Sequence, residues 1–338
     1  MSAAPRTLLV RLDGAGDVLL TGPAVRAVAA GSSHTTLLCG PRGAAAGRLL
    51  PGVDEVCVYD APEICLSPPG VRRSTVNELV ERLAARRFER ALVFASHGRS
   101  PLPAALLPRL AGVPWVAADC EPGPDRLLQL RHRRAERRHE AEAALDLARV
   151  AGFPPPPSDD GALAVTGHEP AEELTGPAPY LVVHPGGSWS SADAERVVAA
   201  LAEAGHRVMV TGDADERELT RRVAGRHGCD LGGRTGLPRL AGVLAGATAL
   251  VARSTGPTQL AAALGTPVVC LDTGRSLPYR SPHVTLHESA PPTELLAALA
   301  ALRDPPGQAG PRQADPGQAD PGQADPGEAG RRVRHGGG

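Results

Sequence analysis

At 338 residues, 42% hydrophobic and 22% charged, the chain has the bulk of two ordinary domains and a composition suited to packed cores in water. A formal net charge of −1 argues against a general nucleic-acid binder, which needs a clustered positive field. All 36 basic residues are arginine, which excludes a Walker A loop with its obligatory lysine. Any phosphate must then be held by Arg, backbone N–H groups or hydroxyls.

In chain order, TLLV (7–10), TTLLC (35–39), VCVY (56–59), ALVFA (91–95) and WVAAD (115–119) read as strands. Between them Val18–Ala30, Gly43–Leu50, Thr75–Arg86 and Pro103–Leu110 carry helical period. The Arg-rich stretch ending in EAEAALDLARVAG is a further helix, its charges forming a solvated face. The segment 152–179, with four consecutive prolines, breaks the pattern and favours a stiff extended connection. A second series follows, with strands at 180–184, 207–211, 249–252 and 268–271. Its helices are expected at Ala192–Ala204, Glu216–Gly225, Leu237–Ala245, Thr258–Leu264 and Pro292–Arg303. From Asp304 the repeat QADPGQADPGQADPG has too few apolar residues to offset the entropy of ordering, and reads as a disordered tail.

Alternation of this kind gives an α/β fold of two Rossmann-like halves with parallel sheets facing a cleft. The expected division is 1–151, a linker at 152–179, a second domain at 180–303 and a tail at 304–338. Six cysteines without a CxxC pair or metal-ligand spacing suit a reduced, intracellular protein. The longest weakly apolar segment, Leu240–Ala252, falls short of the ~20 residues that span a bilayer. The expectation is a cytoplasmic protein with at most peripheral membrane contact.

Three loops carry the chemistry. VRLDGAGDVLLTGPAV (10–25) is a strand running into a glycine turn with Asp13 and Asp17. Gly14 and Gly16 match two glycines of a dinucleotide fingerprint, but the third is missing and Asp17 would repel a diphosphate. A helix-capping role is the bland alternative for these carboxylates, and a catalytic acid or base the sharper one. YLVVHPGGSW (180–189) runs a strand into a backbone-rich loop containing Gly186, Gly187 and Ser188. Ser254-Thr255-Gly256 ends another strand and opens a helix. Such strand-end loops offer N–H groups and hydroxyls that suit a phosphate in a protein without lysine.

In this order the three stretches resemble glycosyltransferase family 9, the heptosyltransferase-like enzymes of GT-B fold. The most specific match is LGGRTGLPRLAGVLAGATALVARSTGPTQLAAALGTPVV, and the resemblance runs over about residues 6 to 303. It implies transfer of a sugar, a heptose or similar, from a nucleotide-diphosphate donor, typically ADP-linked, to a glycan or lipid-linked acceptor. The transfer would invert the anomeric centre and use neither a metal nor a further cofactor. The family's catalytic base falls on Asp17. Asp13, Gly14, Gly16 and Arg11 fall on the acceptor side. Gly186, Gly187, Ser188, Glu216, Thr235, Ser254, Thr255, Gly256 and Gln259 fall on the donor side.

Two departures bear on activity. The loop after His184 looks short and has no basic residue before Arg196, and Gln259 stands where a His is frequent. Either an arginine then arrives from elsewhere to stabilise the leaving group, with Arg11 and Arg253 as candidates, or the enzyme is slow, uses another donor or has lost catalysis. A nucleotide-sugar binding protein without catalysis is the alternative, and a nicotinamide oxidoreductase a third reading that rests on fold alone. Asp213-Ala214-Asp215 is a DxD, read here as a capping turn rather than a metal site; His184 is expected to pack or hydrogen-bond at a strand end. Trp115 and Trp189 are divided between sugar stacking and the core.

Overall fold

The computed structural model describes residues 3–62, 70, 72–121, 123, 126–136, 138–186, 189–271, 277–287 and 289–303. The repeat-rich tail expected from 304 onward lies outside them. One compact unit, Met1–Asp304, contains both sheets.

The first half runs β1 (Arg6–Arg11), α1 (Ala15–Leu20), α2 (Gly22–Ala30), β2 (His34–Cys39), α3 (Ala44–Leu49) and β3 (Glu55–Val58). It continues with α4 (Arg73–Ala84), β4 (Arg90–Val93), α5 (Leu102–Leu110), β5 (Trp115–Asp119), β6 (Leu130–His132) and α6 (Glu140–Val150). After the one-turn α7 (Glu172–Thr175) come β7 (Leu181–His184), α8 (Ser191–Glu203), β8 (Val208–Val210), α9 (Arg217–Ala224) and β9 (Cys229–Asp230). The chain then forms α10 (Leu237–Ala245), β10 (Ala249–Ala252), α11 (Thr255–Leu264), β11 (Val268–Cys270), β12 (His283–Thr285) and α12 (Pro292–Arg303).

Both sheets have six strands, with orders β3-β2-β1-β4-β5-β6 and β12-β11-β10-β7-β8-β9, every pair parallel. Each half thus repeats one doubly wound order, which reverses between β1 and β4 and again between β7 and β10. Ligands of such sheets sit outside the carboxyl ends of the strands at that reversal. The central strands are near-continuous apolar runs because helices cover both faces; Leu8, Leu9, Val10, Val182, Leu250 and Val251 are fully buried.

The nine expected strands are present. Three more, β6, β9 and β12, lie at sheet edges; they are two or three residues long, partly exposed, and too short to show a period. The helix expected over Val18–Ala30 is two helices. It begins three residues earlier and breaks at Thr21, whose hydroxyl donates to the Val18 carbonyl at 2.6 Å. Pro23 then sits in the first turn of α2, where its missing N–H costs nothing.

One apolar cluster runs without interruption from α1, α2 and α3 into α10 and α11, joining Val18, Val25 and Leu49 to Leu240, Leu244 and Leu260. The proline-rich segment is laid against both halves. Arg26 clamps Asp159 through two hydrogen bonds of 2.6 and 2.7 Å. The Thr166 N–H donates to Leu49 and that of Glu169 to Pro238, and Phe153, Leu163 and Ala171 are buried.

Candidate active site

β1 ends at Arg11, and the chain turns through Asp13 and Gly14 into α1. Gly14 is the N-cap residue, so neither carboxylate caps the helix; Asp17 lies in its first turn. Both turn instead toward Arg11, whose side chain is 2% exposed. Its Nε lies 3.0 Å from Oδ2 of Asp13, and one terminal nitrogen donates to Oδ1 of Asp17 at 3.0 Å and to the Ser96 hydroxyl at 2.8 Å. Glu140 of α6 stands 4.0 Å from the same guanidinium and is held by Arg134 at 3.0 Å. Burial raises the Asp13 carboxyl above its ordinary value, opposed by the charge of Arg11 and reinforced by that of Asp17. Asp17, about a third exposed, is the more accessible of the two.

Gly16 packs directly against the second half. A Cβ there would lie 2.9 Å from Thr255 Cγ2 and 3.2 Å from the backbone N of Gly256. The opening turn and the start of α11 are therefore in backbone contact, which only glycine permits.

In the second half β7 ends at His184, which is 5% exposed with Nδ1 3.0 Å from the Thr211 hydroxyl. Burial pushes its pKa down to about 4, so the ring is neutral near pH 7. Glu216 accepts from the Asp213 N–H at 2.9 Å, forming a capping box at the start of the turn leading into α9. The Asp213-Ala214-Asp215 sequence thus works as a helix start. The other oxygen of Glu216 lies against Gly186, where a Cβ would come within 2.8 Å of it.

These pieces enclose a cleft of about 630 Å³. From the first half Asp13, Gly14, Gly16 and Asp17 line it; from the second, His184, Asp213, Glu216, Thr235, Ser254, Thr255 and Gly256 do so. Gly187 and Ser188 lie outside the described residues. Four expectations need correction. Gly186 is not a lining residue; it packs against the Glu216 and His184 side chains that are. Arg11 does not line the cleft, because its guanidinium is held behind the turn by the carboxylates it orders. Gln259 is 1% exposed and does not face the cleft either: its Nε2 donates to the Leu277 carbonyl at 2.9 Å and its Oε1 accepts from the Tyr279 N–H at 3.2 Å. Nor is Arg253 a lining residue. Among the described residues the arginines that line the cleft are Arg42, after β2, and Arg99, after β4, both exposed. The sequence carried no mark of either, since both stand in loops without a motif. Trp115 stacks under the Arg90 guanidinium at 4.9 Å and Trp189 is buried in the second core, so neither faces the cleft.

Two doubly wound halves whose strand ends meet across one cleft define the GT-B architecture. Residues 76–281 match the family model described as glycosyltransferase family 9 (heptosyltransferase), and the chain belongs to that family. Solved structures agree on the fold. A family 9 glycosyl transferase from Veillonella parvula superposes with a TM-score of 0.73 at 16% identity, covering 89% of this chain and 97% of its own. The E. coli ADP-heptose LPS heptosyltransferase II gives 0.69 at 20% identity, covering 88% of this chain and 98% of its own. E. coli heptosyltransferase WaaC with ADP gives 0.65 at 22%, with the same coverage. No curated protein matches the sequence. No helix among the described residues is long and apolar enough to cross a membrane.

Proposed function

We propose that the chain is a metal-independent, inverting glycosyltransferase that moves a heptose or similar sugar from a nucleotide-diphosphate donor, ADP-linked like the ADP-2-deoxy-2-fluoro heptose held by a further E. coli WaaC structure, to a hydroxyl of a glycan or glycolipid. The acceptor hydroxyl gives its proton to Asp17 as its oxygen attacks the anomeric carbon. The bond from that carbon to the donor's diphosphate breaks on the opposite face, and the diphosphate leaves with the electron pair. Asp13 orients the acceptor beside Asp17. Ser254, Thr255 and Gly256 receive the diphosphate at the start of α11, Glu216 the ribose and Thr235 the nucleobase.

The observation that carries this reading is the backbone contact of Gly16 with Thr255 and Gly256. It sets an accessible carboxylate one residue from a contact with the 254–256 loop, in one cleft. Proximity of this kind converts an encounter into an oriented, near-unimolecular step. Arg11 supports it by ordering the Asp17 carboxylate from behind.

Asp17→Asn tests the assignment, with transfer followed by ADP release and donor binding by thermal shift. Removal of a general base lowers turnover by about 10² to 10⁴, while ADP binding is expected to persist. Undiminished turnover would exclude Asp17 as the base.

A further inference from the structure

Charge in the cleft is distributed unevenly. Asp13, Asp17, Asp213 and Glu216 bring four carboxylates to the lining, two from each half. The lining cations among the described residues are Arg42 and Arg99, both from the first half. The second half contributes hydroxyls and backbone N–H groups at 254–256, and a His184 ring that is neutral near pH 7. Among the described residues no arginine of the second half lines the cleft; Arg196 pairs with Asp193, Arg217 donates to the Gly233 carbonyl, and Arg239 pairs with Glu173.

A multiply charged diphosphate placed beside Asp213 and Glu216 is repelled unless cations face it, because a concave, partly dehydrated site strengthens every charge interaction. Sheet order puts the two arginines in position. β1 lies between β2 and β4, so the loops that follow β2 and β4 flank the 13–17 turn on either side. That turn touches Thr255 and Gly256. Neither guanidinium makes an ion pair or hydrogen bond among the described residues, and Arg99 acts on Asp13 through charge at longer range only, so both can turn to a ligand.

We propose that Arg42 and Arg99 neutralise the donor's diphosphate from across the cleft, so that the half carrying the acceptor base also supplies the positive charge for the leaving group. This deepens the proposed function and rests on it. It follows that tight donor binding requires both halves, since the second half alone brings carboxylates, hydroxyls and N–H groups but no lining cation among the described residues.

Calorimetric titration of the full chain with ADP tests this, comparing wild type with Arg42→Gln, Arg99→Gln and the double variant. A hydrogen bond to a charged group contributes about 1.5–3 kcal/mol, so each single variant is expected to raise the ADP Kd about tenfold or more and the double variant about a hundredfold. Both side chains are exposed, so the melting temperatures without ligand should match that of wild type and exclude misfolding. If wild type binds ADP and the double variant binds it equally well, the assignment is overturned while the proposed function stands. An unchanged ADP Kd with a raised acceptor KM would likewise overturn it and give the arginines to the acceptor. If wild type binds none of ADP, GDP, UDP or dTDP, the proposed function falls and this assignment with it.

Discussion

Arg11 and His184 occupy matching positions, each at the carboxyl end of the strand that begins its sheet's order reversal, and each is buried. Their chemistry differs. Arg11 stays charged and is surrounded by carboxylates, so it converts two negative groups into an ordered pair. His184 bonds the Thr211 hydroxyl among the described residues, and burial keeps it neutral near pH 7. Its folded pKa of about 4 lies below the ordinary 6.5, so between these values the unfolded chain binds the extra proton. Stability is therefore lost as pH falls from about 6.5 toward 4. At pH 5 the shift corresponds to roughly 2 kcal/mol. The drop in urea-unfolding free energy between pH 7 and pH 5 is expected to be smaller by about that amount in His184→Gln. An equal drop in both proteins would show that the ring accepts a proton without unfolding.

Helix α1 has six residues and could not persist alone, since isolated helices below ~12 residues are marginal in water. Its stability comes from packing: Val18, Leu19 and Leu20 are buried, and its first turn rests on α11. Gly16→Ala tests that contact. The added methyl must displace the Thr255 methyl and also press on backbone atoms at 3.1 and 3.2 Å. Overpacking of this kind costs typically about 1–3 kcal/mol. Lower stability together with weaker ADP binding is the expected result, read by denaturation and titration. Unchanged values for both would mean that the two helices part freely.

At the scale of the molecule, the apolar cluster that crosses from α1–α3 into α10 and α11 packs the two sheets into one compact unit. The two tryptophans report on the halves separately, Trp115 in β5 and Trp189 after β7. Fluorescence of Trp189→Phe and of Trp115→Phe then follows one half at a time. Coincident urea midpoints are expected, the signature of two-state unfolding. Separate midpoints would show that the segment 152–179 joins independent units.

What the sequence determined by itself was local. Apolar runs and helical period specified nine strands and the order of helices, because burial on both faces of a parallel sheet leaves a signature over a few residues. The loops 13–17 and 254–256 were legible as well, since glycine, hydroxyl and carboxylate types restrict the chemistry such turns support. The short edge strands β6, β9 and β12 were not, for two or three half-exposed residues carry no period. Tertiary structure alone decided which charges face the cleft. It buried Arg11 under its own carboxylates, turned Gln259 to the backbone of 277–279, and brought Arg42 and Arg99 forward from loops without any motif. The reason is physical: a side chain's direction and partners follow from the strand order and from which loops that order makes neighbours, and neither is written at any single position of the chain.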